Sequence, residues 1–153
     1  MEKTKTIGFL KGQVKEYVAL YNKKRQLNKY LSFGIKLLGA LLAASITVIL
    51  GLTFEGKSEN LFKNIALIFG ALITIVNTWD AFFNHKALWV RFTITMVNLY
   101  ALKNKISYYE SKDIESLSEE TIDKLYEELE RIIVETNSNW VEMRKEEKEP
   151  TKN

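Results

Sequence analysis

Asn77, Asp80 and Asn84 come closest, by type and spacing, to a chemical site in this chain. At i, i+3 and i+7 they share one face of a helix, and that helix is otherwise apolar from Ile65 to Phe83. An ionised carboxylate in hydrocarbon is costly unless a cation or water meets it. Lys36, at the foot of the other apolar run, is the cation that an antiparallel hairpin brings to the same depth. Two uses follow from this set: a structural Lys36–Asp80 ion pair, or a polar pore mouth lined by Lys36, Asn77, Asp80 and Asn84.

Nothing else in the chain assembles into a catalytic or ligand-holding constellation. The single histidine, His85, stands between Asn84 and Lys86 with no second metal-ligand residue at ligand spacing, and reads as an interfacial residue. Cysteine is absent, which excludes a disulfide framework, a thiol nucleophile and thiolate-held zinc or iron–sulfur sites. There is no phosphate-cradling glycine loop, no dinucleotide fingerprint and no nucleophile with a recognisable base. The acids of the last helical stretch alternate with Lys124 and Arg131, as a solvated face does. The basic N-terminal arm carries no nucleic-acid-binding motif. The expectation is a protein that is not an enzyme, takes no cofactor or metal, and binds no nucleic acid.

The elements that would position these residues are dominated by two apolar runs. Leu37 to Phe54 is free of charge and reaches about 27 Å as a helix, enough to cross a bilayer. Ile65 to Phe83 forms the second span, and residues 55–64, with Gly56 and a polar run from Lys57 to Asn60, form a tight outer turn. From Gly70 to Pro150 no glycine or proline intervenes. The second span is therefore expected to continue as one helix from Leu61 to about Ile106, and its stalk to about residue 110. Trp79, Phe82, Phe83 and Trp89 make an aromatic collar at its inner end. Small residues recur every fourth position at Gly39, Ala43, Thr47 and Gly51, and again at Ala66, Gly70 and Thr74. Such ridges let helix backbones approach closely, within the hairpin or between copies.

Mean hydropathy is only -0.13 because apolar and charged regions average out. Residues 1–36 carry nine Lys and Arg against two Glu, whereas 117–149 carry five against eleven acids. Two oppositely charged arms flank the spans. The basic arm reads as a helix with Leu10, Val14, Tyr17 and Tyr21 on one stripe. That stripe fits an anionic lipid surface or the acidic C-terminal arm, whose charge complements it. Five Lys and Arg precede the first span from Lys23, three follow the second up to Lys103, and two lie in the outer turn. This asymmetry puts both termini in the cytoplasm. Downstream, Phe82, Trp89 and Met96 with Phe92, Leu99 and Ile106 resemble a heptad. Residues 117–145 form a last cytoplasmic helix, opened by a Ser116-x-x-Glu119 capping box and bearing Ile122, Leu125, Leu129, Ile132, Thr136, Trp140 and Met143 on one side. The tail after Lys145 is expected to fray. The fold class is all-α: a two-transmembrane helical hairpin with cytoplasmic amphipathic helices in a small bundle, all one domain.

With Trp89-Val90-Arg91-Phe92-Thr93, then Leu99, Leu102 and Lys103, then Tyr108-Tyr109, the chain resembles the SLATT family. These are two-transmembrane effector domains associated with SMODS and SLOG proteins, close to the group called domain of unknown function 4231. Trp89, Arg91 and Thr93 carry the motif. The resemblance implies an inner-membrane effector of bacterial conflict systems against phage. Such an effector oligomerises in the lipid bilayer and perforates it when a separately encoded protein makes or senses a nucleotide signal. A membrane anchor for a cytosolic partner and a small channel subunit are the competing classes.

Overall fold

The computed structural model describes residues 2–52, 57–112 and 117–146, without the side chains of 2, 57–58 and 139–146. The expected tail beyond residue 146, Ser116, the end of the expected first span (53–54) and the first two residues of the outer turn (55–56) lie outside the described residues, as do the side chains of Trp140 and Met143. All four elements are helices: α1 (Glu2–Gly51), α2 (Lys57–Phe83), α3 (His85–Ser111) and α4 (Glu119–Glu146). They divide into two compact units, with the boundaries inside α1 after Arg25 and inside α3 after Trp89.

The basic arm and the first span, expected as separate elements, are one helix. A heptad stripe explains why it does not break. Val14, Tyr21, Asn28, Ile35, Leu42 and Ile49 alternate with Val18, Arg25, Ser32, Gly39 and Ile46, all shielded or half-shielded. Only the chemistry of the stripe changes, from apolar to polar around Arg25 to Ser32 and back to apolar.

The first unit is a three-helix bundle of α1 through Arg25, α3 from Val90, and α4. Ile7, Leu10, Val14 and Tyr21 of α1 meet Met96, Leu99, Leu102 and Ile106 of α3 and Ile122, Leu125, Leu129 and Ile132 of α4. The amphipathic basic arm thus spends its apolar stripe on the acidic helix. Each fully buried Leu or Ile contributes about 1.5–3 kcal/mol. The charged contacts, Lys11–Glu110 at 2.7 Å and Lys105–Glu128 at 2.6 Å, are partly exposed and worth about 1 kcal/mol or less each. Burial and the neighbouring Tyr17 phenol push the Tyr21 phenol above its ordinary pKa. The cap of α4 sits two residues later than expected. Ser118, not Ser116, precedes the first helical residue, and its Oγ accepts the Thr121 N–H at 3.2 Å. Glu119 and Glu120 in the first turn then meet the positive end of the helix dipole.

The second unit, from Gln26 to Trp89, is the helical hairpin. Its seam on α2 is again a heptad stripe, Phe62, Phe69, Val76 and Phe83 with Ala66, Ile73 and Asp80. The remaining surface is apolar: α1 and the α2–α3 run are long and apolar enough to cross a membrane, and of their most apolar windows 0% and 6% respectively is buried within the protein. The hydroxyls there are satisfied inside their own helices, Thr47 to the Ala43 carbonyl, Thr74 to Gly70 and Thr78 to Thr74. Backbone-satisfied hydroxyls of this kind suit a medium without water.

Candidate functional site

Lys36 and Asp80 are brought together, with Nζ 2.6 Å from Oδ2. The carboxylate lies in the hairpin seam with its side chain 14% exposed, while the lysine stem lies largely outside at 66%. Asn77 does not join them and faces outward. Asn84 does not share their helix face at all, because the helix ends before it.

The uninterrupted helix expected from Leu61 to Ile106 is broken at Asn84, which adopts φ 44°. Asparagine substitutes for the missing glycine, since its short polar side chain makes the left-handed conformation tolerable. Its N–H still bonds the Asp80 carbonyl at 2.8 Å, closing α2. Its Oδ1 accepts the Ala87 N–H at 3.3 Å, capping α3. One residue thus ends one helix and starts the next. The heptad is reset there: Met96, Leu99 and Ile106 are buried and Phe92 partly so, whereas Phe82 on the other side of the break is exposed.

Beside the break lies a polar contact the sequence reading missed. His85 is buried, and its Nδ1 lies 2.9 Å from Oδ1 of Asn28, also buried. An amide oxygen only accepts, so Nδ1 carries the proton in this contact. The imidazole stacks on Phe83 with centroids 5.6 Å apart and planes 7° apart, and Trp79 packs on the same Phe83 at 4.7 Å. Ser32, one turn beyond Asn28, is buried too. The signal was present: Asn28 and Ser32 continue the Val14–Tyr21 stripe at heptad spacing. In the bundle, Thr95 and Thr136 form a second buried polar pair, 2.9 Å apart.

The small-residue ridges make only part of the seam. Gly39 and Gly70 are half-shielded and Ala66 is buried, but Ala43, Thr47, Gly51 and Thr74 are exposed. A methyl group added at Gly39, Gly51 or Gly70 would meet nothing within 4 Å. The reason is geometric. Four residues turn an α-helix about 40° past a full turn, so a ridge at every fourth position winds off the contact face, while a seven-residue repeat stays on it. Trp89, Arg91 and Thr93 are half-buried near the start of α3. Among the described residues there is no group of three or more His, Asp or Glu able to hold a metal ion.

Fold and site define a class: an all-α protein with two apolar helices long enough to cross a membrane, and a helical bundle with an apolar core. Within that class the chain belongs to the family described as protein of unknown function (DUF4231), whose family model matches residues 16–99. That stretch holds the hairpin, the Asn28–His85 contact, the Lys36–Asp80 pair and the Trp89–Thr93 motif. No curated protein and no solved structure matches the chain.

Proposed function

We propose that the chain is a two-transmembrane effector of a nucleotide-signalled anti-phage system. Copies assemble in the inner membrane, with both termini in the cytoplasm, and open or disrupt the bilayer when a separately encoded protein makes or senses the signal. The protein acts by assembly and catalyses nothing. The observation that carries this reading is the polarity of the hairpin: its outer surface is mostly apolar, while the Asp80 carboxylate, met by Lys36 from outside, and the Asn28–His85 contact are shielded at the seam. Two helices enclose no aqueous path, so a pore takes its walls from several copies. The conflict-system role and the nucleotide signal rest on the family resemblance.

The test is membrane potential and dye entry in cells carrying the protein with its neighbouring genes, before and after phage challenge. Depolarisation confined to challenged cells is expected. Protection with the membrane still polarised sinks the pore and leaves an anchoring role. Orientation is tested separately by labelling Ser58→Cys and Ser138→Cys in intact cells with an impermeant reagent, where only the first is expected to react. Labelling of Ser138→Cys reverses the topology.

A further inference from the structure

Between α1 and α4 the bundle carries an open groove of about 360 Å³, lined by Phe9, Gln13 and Tyr17 on one side and Tyr126, Glu130, Ile133 and Val134 on the other. Phe9 and Val134 are 60% and 63% exposed, an apolar surface left without a partner. The α4 edge of the groove is acidic: Asp123, Glu127 and Glu130 recur at i, i+4 and i+7 and are exposed. Tyr126 donates its phenol hydrogen to Glu130, which raises its pKa.

The same α1 carries the complement on another face. Gly8, Gly12 and Ala19 form a flat exposed strip, bordered by Lys5, Lys15 and Lys23 and by a single acid, Glu16. These lysines make no ion pair among the described residues. Glycine weakens a helix interior, and a methyl group at Gly8 or Gly12 would meet nothing within 4 Å. The packing of the chain itself therefore gives no reason for glycine at either position. A neighbouring helix lying against the strip does.

We propose that the groove takes the Gly8–Ala19 face of α1 from a second copy of this chain, running parallel. Three features single out that occupant. The strip is basic where the groove edge is acidic. It is flat where Phe9 and Val134 project. And the two surfaces occupy the same stretch of one helix, so parallel copies held in one bilayer present them at the same height. The charges fall into register as well. With Val134 beside Phe9 across the groove, the antiparallel α4 sets Glu130 and Glu127 on either side of the level of Lys15, and Asp123 about one turn from Lys23, at about 1.5 Å per residue. A contact between two different patches is head-to-tail, which builds rings or open chains rather than closing at a dimer. The inference rests on the proposal that copies assemble, and specifies where.

Because the chain has no cysteine, single cysteines report contacts without background. Full-length Gly12→Cys and Val134→Cys chains co-expressed in membranes are expected to form a mixed disulfide dimer on mild oxidation. A chain carrying both substitutions is expected to give a ladder to trimer and beyond. Tyr126→Cys with Ala19→Cys repeats the test should either first variant misfold. Glu127→Lys is expected to cut the yield at least fivefold, and Lys15→Glu in the partner copy to restore it. Absence of mixed disulfides, disulfides only between two Val134→Cys chains, or a yield indifferent to the charge pair overturns the proposal. Membrane potential is followed in parallel, which separates this interface from the pore: a ladder without depolarisation refutes the pore alone, and depolarisation without a ladder refutes the interface alone.

Discussion

The two units differ in what they shield most: the bundle closes over apolar side chains with one Thr95–Thr136 pair among them, whereas the hairpin's most shielded residues are Ala66, Asn28, His85 and Ser32. In the bundle the most shielded side chains are Val14, Leu99 and Leu102, and the charges of α1 and α4 are outside. In the hairpin Asn28, Ser32 and His85 are shielded while Leu67, Val48 and Leu50 are open. Both units use the same construction, a seven-residue stripe on each helix, so the difference does not come from geometry. It comes from what each surface is matched to. A water-facing bundle gains by removing apolar area from solvent. In lipid, by contrast, a hairpin gains nothing from hiding leucine and gains by shielding its amides and charges against one another, which is the pattern of the apolar helices here. The change of chemistry along the stripe of α1, at Arg25, Asn28 and Ser32, is where one rule gives way to the other.

The sharpest way to break this comparison is to make the same change in both units. Leu102→Ala in the bundle is expected to destabilise it by about 2–5 kcal/mol, since it leaves a cavity in a closed core. Leu67→Ala on the outer face of α2 is expected to cost about 0.5 kcal/mol or less. Urea unfolding of the protein in nanodiscs, followed by proteolysis of α4, measures the first; thermal aggregation measures the second. Equal losses at both positions refute the difference.

The ion pair comes next. Asp80→Asn leaves Lys36 without its counter-charge beside apolar surroundings, at a cost of about 3 kcal/mol if the site lies deep in hydrocarbon and less if the long stem reaches the interface. Lys36→Met combined with Asp80→Asn is expected to recover most of that loss, because no lone charge remains. The readout is the yield of folded protein extracted from membranes. A double variant no better than Asp80→Asn alone favours the pore-mouth use of Asp80 over the structural one. The amide–imidazole contact is weaker: His85→Leu is expected to cost about 1–3 kcal/mol by removing the donor that meets the buried Asn28 Oδ1, and Asn28→Leu in addition to cost less than the sum. Strict additivity in the same unfolding measurement would mean that the two residues do not act as a pair.

Much of this was readable in the residues. The two long apolar helices, the all-α class and the amphipathic stripes of α1 and α4 follow from periodicity and charge alone, as does the pairing of a lone acid in one apolar run with the nearest cation of the other. What was not readable depended on contacts between stretches far apart in the chain. Asn28 and His85 are 57 residues apart, and each looks like an ordinary polar residue near a membrane until folding sets them side by side. Thr95 and Thr136 were hidden in the same way. The four-residue ridge joins the hairpin only at Gly39, Ala66 and Gly70, because a repeat that looks aligned in the sequence winds about 40° per step around the helix. The break in the α2–α3 run has no glycine or proline to mark it in the sequence; asparagine provides the same turn with a cap besides.

That break provides the smallest and most discriminating prediction. Asn84 has two separable duties, a left-handed backbone and an acceptor for the Ala87 N–H. Asn84→Ala loses both and is expected to cost about 1–2 kcal/mol, from the Cβ penalty of the left-handed conformation and the lost cap. Asn84→Gly relieves the backbone and loses only the side-chain acceptor, so the expected cost is a few tenths of a kcal/mol. Asn84→Asp keeps the acceptor and tolerates the conformation, and is expected to fall close to the original residue. If instead Asn84→Ala is as stable as Asn84→Gly, or more so, then α2 and α3 straighten into the single helix that the absence of glycine and proline suggests. In that case the heptad of Met96, Leu99 and Ile106 extends back through Phe82 without a reset, and hydrogen exchange at the Asn84 to Leu88 amides would slow to the rate of the neighbouring helix. Faster exchange there than in the flanking turns is the outcome that the two-helix arrangement requires.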